Sequence, residues 1–492
     1  MRSRIASFAA TCVMVLLAQI SGAQPAPGGA AKAIKEKTEK PAAPSLRPKL
    51  AIERFTLDNG LRVVLNPDPT SPTLAVVVWY DVGSRDEKPG EGGFAHLFEH
   101  MMFEGSAGVP RGEHDKIVEG RGGKLNASTS EDWTRYFETM PSSELAVTLY
   151  LEADRMKSLQ VTEEAFENQR KVVQEEYRMR VENAPFVKGY FRLMELVYEG
   201  YHPYAHPVIG SMDELDAAKL AWVQSFHKRW YGPNNAVLVI AGDVDVAQAK
   251  ALVTKYFAGV ARIPLQPTTF PAYAGRTKPS GPEALTDPNA RTPATMLAWS
   301  IPPDHTKEHY ALEMAAAVLS DGESSRLHRK LVKDLAIAQN VSVSTEDHRG
   351  PDAFVVDAQL AEKGKVDDVE KAIWAEIDDL AKKGPTAAEL QKARAKVEHA
   401  FLFGLQANLS RAMALAKFEG HHGDATLLTG EPDKYLAVTA DDVRAAVAKY
   451  LVREKLAHVR VLPKDQPEKA PKPAPAKPAK PAPGKPVKKE GK

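Results

Sequence analysis

The chain has 492 residues, 43% of them hydrophobic, enough for a large buried core and for two to four domains. A formal net charge of +1 gives no global pull toward nucleic acid or an anionic membrane. The one cysteine, Cys12, sits near the start, so the rest of the chain has no disulfide, thiol nucleophile or thiolate metal ligand, and any metal must be held by histidines and carboxylates.

In chain order, residues 1–23 read as an export signal. Arg2 and Arg4 precede an apolar stretch over residues 5–20, broken only by Ser7, Thr11 and Gln19, and Ser21-Gly22-Ala23 offers small residues for cleavage before Gln24. The stretch is shorter than the ~20 residues of a membrane span, so no integral span is expected after cleavage; an uncleaved anchor is the alternative. Cys12 follows Ala9-Ala10-Thr11 and lacks the leucine context of a lipid-attachment site. The implied location is the periplasm or the external medium. Residues 24–50, rich in Pro, Ala, Gly and Lys, read as a linker.

The body divides into two α/β units. In the first, residues 51–265, strands over 55–57 and 61–65 flank the turn Asp58-Asn59-Gly60, a strong hairpin signal. A second apolar strand covers 74–80. Helical patterns follow over 93–105, 142–159 and 162–182, and a strand over 236–240 stops at Ala241-Gly242-Asp243. Residues 266–292 are Pro-rich without periodicity and read as the inter-domain linker. The second unit, residues 293–463, is built along similar lines, with strands over 295–299 and 353–360, a helix over 309–319, and two long helices over 366–383 and 386–417. Residues 464–492 repeat Pro, Ala and Lys, cannot bury a core and read as a disordered, solvated spacer.

The chemistry concentrates in Phe94-Ala95-His96-Leu97-Phe98-Glu99-His100-Met101-Met102. On a helix, His96 and His100 are one turn apart and Glu99 shares their face. Two such imidazoles can hold one zinc ion, which acidifies a water whose proton a nearby carboxylate takes; Glu99 is placed for that role. The His-x-x-Glu-His order is the inverse of the commoner zinc motif. The apolar neighbours argue for burial, and a buried His-Glu-His cluster without a partner would be costly. A third ligand must come from another element. On the helix over 162–182, Glu176 shares a face with Gln169, Val172, Val173 and Met179, whereas Glu175 falls with Asn168, Lys171, Arg178 and Glu182 on the solvated side. A buried glutamate needs a cation, so Glu176 is the expected ligand. His202 and His206 read as loop packing, His114 as a surface residue, and the adjacent His421 and His422 as poor geometry for one ion.

With these residues in hand, the sequence resembles the pitrilysin/insulinase family of zinc peptidases, in particular half-length members similar to mitochondrial processing peptidase subunits. The likeness spans most of residues 52–462. It rests on Thr56-Leu57-Asp58-Asn59-Gly60-Leu61, residues 93–101, Gly122-Gly123-Lys124-Leu125-Asn126-Ala127, and Tyr231-Gly232-Pro233-Asn234-Asn235 leading to Gly242-Asp243. The resemblance implies an α+β fold of two homologous α/β domains, each a mixed or antiparallel sheet packed with helices on one face. It implies one zinc per chain held by His96, His100 and Glu176, and an endopeptidase acting on unfolded peptides or small proteins. Substrate would add as a strand at a sheet edge near Leu125, Asn126 and Ala127. Trp133, Tyr136 and Phe137 beyond it would line that groove or simply pack in the core.

Two positions depart from the family pattern. Gln169 stands where active relatives often have a glutamate two turns before the third ligand, and its amide can still orient a neighbour. Val332 and Gln339 stand where active relatives supply an Arg and a Tyr that hold the substrate carbonyl, with Arg329 and Lys333 close by in sequence. The implied arrangement is a zinc-bearing subunit whose related partner donates the Arg and Tyr. The alternative is a non-catalytic scaffold or chaperone-like subunit with the same fold.

Overall fold

A computed structural model of the chain describes residues 49–265, 268–279 and 281–464. The export signal, the linker up to residue 48 and all but the first residue of the tail lie outside the described residues.

The Asn59-Gly60 turn closes as expected. Gly60 takes φ +89°, Leu57 and Leu61 share a backbone hydrogen bond, and β1 (Glu53–Thr56) returns as β2 (Arg62–Pro67). These strands join β3 (Thr73–Tyr80), β4 (Lys124–Thr129), β5 (Thr134–Pro141) and β6 (Ala236–Gly242) in a six-stranded sheet ordered β1-β2-β6-β3-β5-β4, with only β2 and β6 parallel. The second half forms a five-stranded sheet from β7 (Glu283–Asp287), β8 (Ala294–Ile301), β9 (Ala338–Thr345), β10 (Asp352–Leu360) and β11 (Ala457–Pro463). Its order is β7-β11-β8-β10-β9, with only β7 and β11 parallel. Apart from β1, the two sheets share one plan: the last strand of each half inserts between its first two, and the third strand ends at an edge. The halves are homologous units.

The first half carries α1 (Phe94–Met101), α2 (Glu113–Gly120), α3 (Leu145–Ser158), α4 (Glu163–Tyr177), α5 (Val187–Val197), α6 (Met212–Ala217), α7 (Leu220–Trp230) and α8 (Val246–Phe257). The second carries α9 (Lys307–Ser320), α10 (Val366–Lys383), α11 (Ala387–Gly404), α12 (Asn408–His422), α13 (Glu431–Leu436) and α14 (Ala440–Tyr450). Strand alternation sorts the cores. Val63, Leu65, Val76, Val78 and Ile240 face the first half's own helices. The residues between them, Val64, Ala75, Val77, Trp79 and Val239, face away and are covered by α12 from the second half. Reciprocally, Met296, Ala298, Val355 and Val459 of the second sheet are covered by residues of α5 from the first half. Each half's own helices keep to one face, and the opposite face is closed by a helix lent from the other half.

Two organisational expectations need correction. The span read as a linker, 266–292, contains β7. An edge strand needs one partner only, and the alternating Glu283–Asp287 finds it in β11 despite the Pro-rich sequence before it. The single helix read over 386–417 is two, α11 and α12. Buried Arg411 donates to the carbonyls of Leu405 and Gln406, satisfying groups freed where the chain breaks and turns onto the first sheet. Among the described residues, no helix is long and apolar enough to cross a membrane.

Candidate metal centre

Helix α1 starts at Gly93, whose φ of +89° and lack of a side chain suit a tight entry; a Cβ there would lie 2.7 Å from the Ile209 carbonyl oxygen. With no capping side chain at Gly93, the buried carboxylate of Glu87 caps the helix, accepting from Gly93 N at 3.0 Å and Ala95 N at 2.7 Å. His206 Nε2 lies 3.1 Å from the same carboxylate. Phe94, Ala95, Leu97, Phe98 and Met101 are buried in the first core, which leaves His96, Glu99 and His100 on one flank. Tyr136 ties the helix to β5 by donating to the Phe98 carbonyl at 3.1 Å.

Helix α4, capped by Thr162, packs against α1. It buries Ala165, Phe166, Val173 and Glu176, a stripe at helical spacing. Glu176 Oε2 lies 3.2 Å from His100 Nε2 and 3.7 Å from His96 Nε2. Donor atoms of the three residues all fall within 4.8 Å of one another. Glu175 points out and pairs with Arg178. The helical phase thus separates the two glutamates as expected, but Val172 and Met179, expected on the buried face, are 43% and 53% exposed. The buried stripe is narrower than the apolar pattern, and residues 178–182 form a wider π-turn that rotates Met179 out of phase.

Burial drives the His96 imidazole down to about 3, with His100 adding to the effect. Burial also lowers His100, but its contact with the Glu176 carboxylate outweighs this and leaves it above the usual histidine value. Burial raises Glu176, yet the hydrogen bond to His100 and the nearby His96 outweigh it and hold the carboxyl at about 2. Glu99 is pushed above the ordinary carboxylate value by burial, opposed by Thr129, whose hydroxyl donates to Glu99 Oε2 at 2.6 Å. Two imidazoles and a carboxylate at this spacing fit a zinc-type ion, whose positive charge would pair with the Glu176 carboxylate.

Leu125, Asn126 and Ala127 lie on β4, which ends the sheet order and pairs only with β5; Thr129 at its end reaches Glu99. Tyr136 is fully buried, whereas Trp133 and Phe137 are partly buried, packed against the face covered by α12. The Gln169 amide donates to Glu104, which also pairs with Arg111 at 2.9 Å. His114, expected at the surface, is buried at 2.5 Å from Glu138, because α2 packs that side of itself against β4. His206 is held by Glu87 and the Ser84 carbonyl, consistent with loop packing. His421 and His422 diverge: one meets the Trp79 ring edge-on, the other approaches Asp304. Sequence reasoning missed Thr129, Glu87, Glu104 and Arg180, whose Nε lies 3.0 Å from Glu176 Oε1. Only Arg180 had a signal, lying one helical turn past Glu176. Val332 packs against the second core, and the Gln339 amide donates to Thr292 Oγ1 at 3.4 Å.

The family profile described as insulinase (peptidase family M16) matches residues 62–194, the span holding this cluster. A second, described as peptidase M16 inactive domain, matches residues 219–397. The zinc protease PqqE of Helicobacter pylori is 32% identical over 74% of this chain and 83% of its own length. The mitochondrial-processing peptidase subunit beta of Blastocladiella emersonii is 25% identical over 85% of this chain and 89% of its own. Among solved structures, a protease from Helicobacter pylori superposes with a TM-score of 0.79 at 30% identity, covering 84% of this chain and 100% of that one.

Proposed function

Because the chain belongs to the insulinase (M16) peptidase family and has its two-domain fold, we propose that it is an exported zinc metalloendopeptidase that cleaves unfolded peptides or small proteins. The observation that carries this reading is the convergence of His96, His100 and Glu176, from two helices, on one point beside Glu99. In it, those three residues hold the ion. The metal, when bound, supplies Lewis acidity toward the scissile carbonyl and an attacking water.

The chain's own residues do the rest. Glu99, its basicity raised by burial, accepts the proton of the attacking water and passes it to the leaving amine. Thr129 keeps that carboxylate in one orientation. The outer edge of β4 accepts substrate backbone as an added strand beginning beside Leu125, Asn126 and Ala127. Gln169 holds Glu104 in place next to this site. Export to the periplasm or medium rests on residues 1–23. With Val332 and Gln339 in place of an Arg and a Tyr, the substrate carbonyl lacks its usual donors. In this proposal a related partner subunit supplies them.

Metal content of the mature chain tests the site. The expected outcome is that Glu176→Ala contains one zinc equivalent less than the parent, Glu175→Ala the same amount, and Glu99→Gln the same amount with turnover reduced about 10²–10⁴-fold. Parental zinc in Glu176→Ala would refute the ligand set. Full metal with no effect of Glu99→Gln would favour the scaffold reading. Ordinary peptidase rates from the chain alone would rule out the need for a partner.

A further inference from the structure

A second grouping of metal-ligand type lies outside this site. Asp304 and His305 follow β8, in the turn that Thr306 closes by donating to the Pro303 carbonyl at 2.8 Å before capping α9. His422 is the last residue of α12. Donor atoms of Asp304, His305 and His422 lie within 4.8 Å of one another. Asp304 Oδ2 and His422 Nε2 are both buried without a hydrogen-bond partner, although they face each other at 3.5 Å. The Asp304 side chain is only 9% exposed. Unpaired buried donors and acceptors are costly, and two facing each other at this distance mark a place where a third atom belongs. His305 adopts a left-handed φ of +59°, which aims its ring at His422, 3.8 Å between centroids.

We propose that Asp304, His305 and His422 form a second divalent-cation site of zinc-type chemistry, clamping the end of α12 to the loop after β8. Two imidazoles and a carboxylate form a borderline donor set that suits zinc better than calcium or magnesium. The charges agree. Lys417, a cation whose charge reaches Asp304 and His305, is paired with both Asp347 oxygens at 2.6 and 2.5 Å. A further carboxylate, Glu431, stands 3.5 Å from His305 Nε2. Its other oxygen accepts from the Tyr310 hydroxyl, so Glu431 is held in place as countercharge. Helix α12 covers the first sheet, while Asp304 and His305 leave the second. An ion here therefore ties the helix that the second half lends to the first sheet back to the second half's own loop, a structural role distinct from the proposed peptidase centre.

Zinc stoichiometry of the full chain, dialysed against Zn²⁺ and measured by elemental analysis, separates the two sites. The expected counts are two for the parent, one for His96→Ala/His100→Ala, one for Asp304→Asn/His422→Ala and none for the combination. In the His96→Ala/His100→Ala chain, which leaves the second site intact, Co²⁺ should give visible bands of a nitrogen- and oxygen-ligated ion, and Zn²⁺ should raise the melting temperature. No zinc and no cobalt spectrum in that chain would overturn the proposal. So would an unchanged count in Asp304→Asn/His422→Ala. One zinc in the parent that survives His96→Ala/His100→Ala would defeat the peptidase centre and leave this site standing.

Discussion

Glu99 sits between two opposed effects: burial raises its carboxyl, and the Thr129 hydroxyl at 2.6 Å lowers it. A hydrogen bond donated to a charged acceptor favours the charged form, so Thr129→Val should raise the carboxyl further. A general base works above its pKa, so the acid limb of the kcat/KM profile should move to higher pH, with activity at pH 6 falling more than at pH 8. A uniform loss at all pH values would show that Thr129 acts only through packing. At this scale the motif spacing made His96, Glu99 and His100 legible, and helical phase distinguished Glu176 from Glu175. The groups that hold them were not legible. Glu87 caps α1 only because the fold returns Gly93 and Ala95 to it, and His114 is buried because α2 packs against β4, which brings it beside Glu138 of β5. Neither contact leaves a periodic trace in the sequence.

Among the elements, α12 shows how far a pattern can mislead. Its residues read as the end of one long helix, because periodicity registers an apolar face and not which sheet the face will meet. The answer lies in a close approach: a Cβ on Gly420 would fall 2.5 Å from Trp79 Nε1 on the first sheet. In an exposed helix, Gly→Ala stabilises by about 1 kcal/mol. Here the added methyl must push α12 off Trp79, and overpacking of this kind costs about 1–3 kcal/mol. Gly420→Ala should therefore lower the melting temperature by a few degrees, and a rise would mean that the sheet yields without cost. The same displacement would move His422 away from Asp304, so a weakened second zinc equivalent should accompany it. β7 teaches a related lesson. Five alternating residues after a Pro-rich run resemble linker until a neighbouring edge is available to pair with them.

For the whole molecule, the reciprocal loan of α5 and α12 decides how the chain folds. The two-unit reading of the sequence captured the repeat but not the exchange, since helices contributed across a boundary carry no mark of their destination. Without α12, the first sheet would expose Val64, Val77, Trp79, Val237 and Val239 on one face. Each such side chain contributes about 1.5–3 kcal/mol when buried, so their summed loss rivals the entire stability of a domain, about 5–15 kcal/mol. Polar ties reinforce the union: Arg349 Nη1 binds Asp81 at 2.9 Å, and Arg349 N donates to Asp132 at 2.8 Å. The expected result is one cooperative transition for the full chain by calorimetry. Expressed alone, residues 49–265 should be aggregated or molten. Co-expression with the remainder of the chain should restore a soluble complex, because the two pieces still hold each other's missing helix. A monomeric 49–265 fragment melting cooperatively within a few degrees of the whole would mean that α12 is an accessory to the first sheet.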